Sequence, residues 1–268
     1  MKTIIQTFKL IKEKPLLLMI PFFFDLLAMA IFGYTLADVR MRALNVVDNL
    51  NGLLQQGVNQ AVEVLNQSNI VETFSQQTEL VNLEWALIKL LIFVVVTFWL
   101  VWMVFQGGSW RYASIISQKK PKYFKFMWRF VGVNLIWLSC LTLINFFILN
   151  HQFNLQVQFH QTSWDVLTVL AVVLNVVVAY FMFISYTLLS NNKLKQIIKK
   201  TFNIGVKKFY RVLLTYLVIL IGFGLIDGIL RLFGLINPTV SFIVGIFLIL
   251  PYITISRVYL IKSVEKMS

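Results

Sequence analysis

The chain has 268 residues, of which 59% are hydrophobic and 13% charged, and its mean hydropathy is +0.78. A soluble domain runs nearer half apolar with about 25% charged residues, so an ordinary soluble globular domain is excluded. The formal net charge of +13 would suggest nucleic acid in a soluble protein, but no nucleic-acid reading motif accompanies it, and no nucleic-acid partner is expected.

The predicted elements begin with a basic, partly amphipathic segment, Thr3–Lys14, leading into an apolar run. Lysines, an apolar run and then Ala28-Met29-Ala30 resemble a cleavable signal. The run from Leu16 to Leu36 exceeds a usual signal core and contains Asp25, so a retained span is expected. Six apolar runs occur in succession near 16–37, 85–105, 130–149, 166–189, 212–233 and 240–261. Each has about the 20 residues that a bilayer crossing needs. Backbone polar groups in lipid must be satisfied within the segment, and the runs are continuously apolar rather than alternating, so helices are predicted and a barrel is not. The expected fold class is all-α, a polytopic transmembrane bundle of six spans forming one integral membrane domain over 1–268. Trp85, Trp110, Trp128, Trp164 and Tyr259 fall near proposed span ends, where interfacial aromatics belong.

The basic residues sort by side. Of 24 Lys and Arg, 20 fall in the segment before Pro15, the loop from Gly107 to Arg129, the loop from Ser190 to Arg211, and the tail with Arg257, Lys262 and Lys266. Only Arg40, Arg42, Lys89 and Arg231 lie elsewhere. Cytoplasmic loops are enriched in Lys and Arg, so both termini are expected in the cytoplasm, most naturally at the plasma membrane of a prokaryote. The lipid bilayer is the first partner this implies, with anionic lipids at the basic inner face. Protein partners or a homo-oligomer are the second.

The loop from Asp38 to Glu84 is the one sizeable outer element. Ala43, Val47, Leu50, Leu54, Val58, Ala61 and Leu65 recur at spacings of three and four, which predicts an amphipathic outer helix. It would lie on the outer leaflet, cap the bundle or meet a partner. Asn66-Gln67-Ser68 matches a glycosylation acceptor pattern on that side. His151, His160 and Asp165 share the second outer loop, but their spacing matches no helix-based zinc site, and no metal or other cofactor is expected. Cys140 is the single cysteine, so neither an internal disulfide nor a Cys-based metal site arises.

A weak internal repeat is visible. Thr3–Lys14, Pro121–Arg129 and Leu194–Arg211 each lead into an outward-going span. Tyr112 to Ser117, Tyr186 to Ser190 and Tyr259 to Ser263 each end an inward-going one. Three helical hairpins of one hand are predicted, each with a cytoplasmic interfacial helix. This layout resembles prokaryotic six-helix membrane families of unknown function, some of them similar to the membrane domain preceding certain glycerophosphodiester phosphodiesterases. The resemblance covers the whole chain, rests on layout, and transfers no catalytic residues. No segment here is large enough to be the phosphodiesterase domain. Gly205 also resembles the glycine of the cytoplasmic coupling loop of ABC importer permeases, a pattern from which Lys200-Thr201 and a missing proline depart.

Asp25 is the sharpest candidate for chemistry. It falls near the bilayer midplane at about 1.5 Å per residue from Pro15, where a carboxyl is costly and faces a polar partner or a water path. It reads either as a proton or cation site or as an uncharged side chain bonded to an Asn, Ser or Tyr on another helix. Pro21, four residues earlier, and Pro251 in the last span are candidate kinks. Asp227 and Arg231, spaced i and i+4, share a face of the fifth span toward its outer end and read as a local ion pair, or as a gate or an anion contact. Gly224 and Gly228 in that span predict close helix packing. Lys89 reads as an outward-snorkelling anchor, and Gly107-Gly108 as a turn after the second span. No common hydrolase or nucleotide-binding motif is present. The expected role is therefore a non-enzymatic scaffold or accessory subunit of a membrane complex. A small transporter or channel using Asp25 is the alternative.

Overall fold

The computed structural model describes residues 2–64, 70–159 and 166–267. It is all-α, and no strand occurs among the described residues. In chain order the helices are α1 (Lys2–Glu13), α2 (Pro15–Val64), α3 (Ile70–Val101), a π-helical turn (Trp102–Gln106), α4 (Gly107–Ile116), α5 (Tyr123–Phe159), α6 (Val166–Thr187), α7 (Leu194–Lys207), α8 (Phe209–Ile236) and α9 (Pro238–Glu265). Six helical stretches are long and apolar enough to cross a membrane: Pro15–Asn49, Val81–Ile116, Tyr123–Gln152, Val166–Thr187, Phe209–Ile236 and Pro238–Glu265. Each of the six predicted spans falls within or nearly within one of them. The protein is a polytopic, all-α integral membrane protein.

Several predicted boundaries are corrected. The second span does not end in a turn at Gly107-Gly108, because the chain remains helical through Ile116. Pro121–Arg129 is not a separate interfacial helix. Its residues from Tyr123 form the first turns of α5. The outer stripe that begins at Ala43 does not start a new helix either, since α2 runs unbroken from the first span to Val64. Gly52 and Gly57 therefore cost helix propensity without stopping the helix. Leu65, the glycosylation pattern at Asn66, His160, Trp164 and Asp165 lie outside the described residues.

The chain divides into two compact units, Met1–Ala28 with Trp102–Ser268, and Met29–Val101. In the second unit α2 and α3 meet through Phe32 and Phe98, whose rings lie 5.2 Å apart. Lys89 is exposed on α3, as a snorkelling side chain would be.

The first unit is packed mainly at the end that carries the basic loops. Ile116, Phe126, Phe130, Leu189, Ile197, Val212 and Ile261 are each fully buried there. At the opposite helix ends Val166, Leu235 and Ile236 stay more than 80% exposed, as side chains facing hydrocarbon can. α1 and α7 are the two amphipathic helices of the predicted repeat that do form. Thr7 and Leu10 bury one face of α1. Ile197, Thr201, Ile204 and Gly205, at helical spacing, bury one face of α7. Two polar caps fix the connections. Arg129 on α5 donates to the carbonyls of Leu189 and Ser190 just after α6, at 3.0 and 3.4 Å. Asn237 accepts from Thr239 N and Val240 N, and Pro238 opens α9 with a backbone angle already suited to a helix.

Candidate functional site: a closed polar cluster around Asp25

Asp25 on α2 is buried, and its partner is Arg257 of α9. The guanidinium grips the carboxylate with two nitrogens, Nη1 to Oδ2 at 2.6 Å and Nη2 to Oδ1 at 3.0 Å. Two parallel charge-assisted bonds of this kind are the strong form of the pair. Arg257 Nη2 also donates to Gln106 Oε1 at 2.6 Å, and Gln106 Nε2 donates to Asp25 Oδ1 at 3.0 Å. The three side chains thus close a ring of hydrogen bonds. Ser109 Oγ completes it, 3.0 Å from Asp25 Oδ1 and 3.3 Å from the carbonyl of Pro21. Below the guanidinium lies the ring of Trp110, its centroid 5.8 Å from Arg257 Cζ.

Local sequence explains how these groups meet. The π-helical turn Trp102–Gln106 adds a residue to the helix and rotates the α4 segment after it. Gln106, Ser109 and Trp110 then all reach the cluster from around the π/α4 junction. Gly107 and Gly108 let this junction come close to its neighbours. A Cβ on Gly107 would stand 2.8 Å from Met127 Cε, and one on Gly108 would stand 3.0 Å from the Phe24 ring. The Phe24 ring packs on α4 one residue before Asp25, which places the carboxylate beside Ser109.

A second polar chain adjoins the first. Trp102 Nε1 donates to the Tyr186 hydroxyl at 3.1 Å, and that hydroxyl donates to Asn134 Oδ1. Asn134 Nδ2 in turn donates to the Phe130 carbonyl at 2.8 Å. The Tyr186 ring is 5.2 Å from Trp110 and 4.9 Å from Phe130. Trp110, predicted as an interfacial anchor, is instead buried between the two clusters. Trp85 and Trp128 are exposed, as interfacial residues should be.

The other predicted polar residues do not join this site. Asp227 and Arg231 form their own pair on α8, Nε to Oδ2 at 2.8 Å, with both side chains exposed. Pro21 and Pro251 both lie inside continuous helices. Pro21 contributes its carbonyl to Ser109. Among the described residues no group of three metal-binding side chains occurs. Gly205 serves packing: a Cβ there would meet the Phe181 ring at 2.5 Å, and the Tyr180 hydroxyl donates to its carbonyl at 2.8 Å.

Charge sorting alone assigns Arg257 to the cytoplasmic tail. The structure puts it inside α9 and buried, so Asp25 has a cationic partner that neither sequence reading named, beside the serine on another helix, Ser109, that one of them did. A signal is present in the sequence, because the predicted sixth span, 240–261, already encloses this arginine. A lone cation and a lone anion in two apolar spans are a natural pair. Gln106, Ser109 and Tyr186 carry no comparable signal. Compared with protein-family models, curated proteins and solved structures, the chain matches none.

Proposed function

We propose that this protein is a non-enzymatic scaffold or accessory subunit of a membrane complex. The observation that carries this reading is the closed ring at Asp25. A buried carboxylate gripped by both Nη nitrogens of Arg257 and bonded by Gln106 and Ser109 is paired with a cation and hydrogen-bonded at both oxygens. Such a group serves to lock α2, the π-helical turn and α9 together. It leaves little of the carboxylate open to a passing cation.

The membrane would be the plasma membrane of a prokaryote, with both termini and the basic loops in the cytoplasm. The positive-inside rule supports this orientation, and so does the gathering of basic segments in the first unit. There Lys119 reaches the Thr187 carbonyl at 3.5 Å, Lys266 bonds Thr3 Oγ1 at 3.0 Å, and Lys208 donates to the Met267 carbonyl. That basic end would rest against anionic lipid headgroups.

Purification from native membranes in several mild detergents tests the role. Recovery of the same unlike partner in each is expected, and its absence in all would count against an accessory role. Purified protein in liposomes should show no cation or proton flux. Flux that Asp25→Asn abolishes would replace this reading with transport. Reporter fusions at residues 1 and 268 should both report the cytoplasm, and a reporter exported at either end would reverse the assigned orientation.

A further inference from the structure

We infer that α8 is a self-association helix, and that the face bearing Gly224, Asp227, Gly228 and Arg231 docks against the same face of a second copy of this chain. These residues are spaced i, i+3, i+4 and i+7, so they form one stripe. Within the first unit the stripe is not the face that packs against α9. α9 is held by other positions on α8: Tyr252 donates to the Ile219 carbonyl at 2.8 Å and packs on Phe223 at 4.8 Å, while Ser241 donates to the Leu230 carbonyl at 2.8 Å. At 100° per residue those positions lie roughly 120° round the helix from the stripe.

Two features of the stripe want cover. The Arg231 and Asp227 side chains are 80% and 61% exposed, within a helix apolar enough to span a bilayer. Charged side chains at such positions face protein or water rather than hydrocarbon. Beside them, among the described residues, nothing lies within 4 Å of a Cβ built on Gly224 or Gly228. Gly222, by contrast, is filled by Tyr252 on the α9 side.

The charge pattern selects a second copy as the occupant. Copies inserted with one orientation meet as parallel helices about an axis along the membrane normal. Residues of one type then stand at one depth. Within a subunit Arg231 uses Nε on Asp227 Oδ2, which leaves its two Nη groups and Asp227 Oδ1 without a hydrogen-bond partner among the described residues. A two-fold axis brings the Nη groups of one copy to Oδ1 of the other, twice. The two intrahelical pairs become one four-membered charge network. The glycines allow the backbones to approach closely enough for that reach, as small-xxx-small pairs do in membranes. The inference stands apart from the accessory role, and needs only that α8 lie in the bilayer.

The test is disulfide trapping of the full-length chain in its native membrane, in a Cys140→Ser background. Gly228→Cys should give a covalent species of twice the chain mass. A control on the α9-facing side, Leu230→Cys, should give none. Two charge variants read the pairing. Asp227→Arg and Arg231→Asp should each lose most of the trapped dimer when expressed alone, and regain it when co-expressed, because the two altered faces then complement each other. Retained resistance to alkaline extraction shows that the variants remain membrane-embedded. Trapping of Gly228→Cys only to an unlike chain, no trapping at all, or trapping indifferent to both charge variants would each overturn the inference. Release of the unaltered chain by alkaline carbonate would overturn its membrane premise instead.

Discussion

At the scale of single residues the decisive pair is Asp25 with Arg257. Removing one member of a buried ion pair leaves an uncompensated charge and costs about 3–5 kcal/mol, whereas replacing both with apolar groups is often close to neutral. Arg257→Met should therefore destabilise the protein strongly, and the double variant Asp25→Leu with Arg257→Met should be more stable than Arg257→Met alone. Denaturant titration in mixed micelles reads the order, and a double variant worse than Arg257→Met would contradict the pairing. Lys119 makes a different prediction. It lies between α4 and α5, outside the spans. Burial lowers its pKa from 10.5, with nearby Glu265 partly opposing and Lys262 reinforcing the shift. The unfolded chain then holds this proton at pH values where the folded one has released it. Stability attributable to Lys119 rises as pH climbs through the lowered folded value toward 10.5, and the cost of keeping it charged is felt below that window. Thermal unfolding of the native chain should gain on that of Lys119→Met as pH is raised toward 10.5, and parallel curves would contradict the assignment. Asp25 is legible in the sequence because a carboxyl in an apolar run is expensive. Its partner is legible only in that the predicted sixth span encloses Arg257; 232 positions separate the two, and sorting charges by side sweeps Arg257 into the tail.

At the scale of elements the spans are legible, because apolar runs of bilayer length leave the backbone no choice but helix. Their ends are harder. Gly107-Gly108 reads as a turn on composition, and it is helix because packing against Phe24, Met127 and Phe130 overrides a weak propensity. The π-helical turn before it, which turns Gln106 toward Asp25, has no sequence signature at all. Its role predicts that Gly108→Val will push Phe24 away and loosen the ring. Overpacking of this kind costs about 1–3 kcal/mol. A lowered unfolding midpoint, together with a smaller added effect of Arg257→Met in that background, is the expected result. Simple additivity of the two would mean that the glycine and the ion pair act separately. Of the three basic segments in the predicted repeat, two form separate helices. α1 and α7 have an apolar stripe to bury and form separate helices, while the segment at Pro121 flows into α5 because nothing breaks the chain after Tyr123.

At the scale of the whole molecule, polar satisfaction and exposure point in one direction. Inside the first unit the polar groups around Asp25 bond among themselves, and so do those around Tyr186. Outward, α5 and α6 expose a mutual pair between Asn145 and Asn175 at 3.2 Å, and α8 exposes its ion pair at 2.8 Å. Polar side chains on apolar helices can hydrogen-bond across to another helix, which is the use the proposed accessory role would make of them. Composition and charge sorting make the membrane class readable from sequence, whereas the division of labour between inward and outward polar groups requires coordinates. The most direct measurement is native mass spectrometry of the particle released with its lipids from its own membrane. A scaffold or accessory subunit predicts a reproducible mass that holds an unlike chain in fixed ratio with this one. A particle made of this chain alone would contradict it.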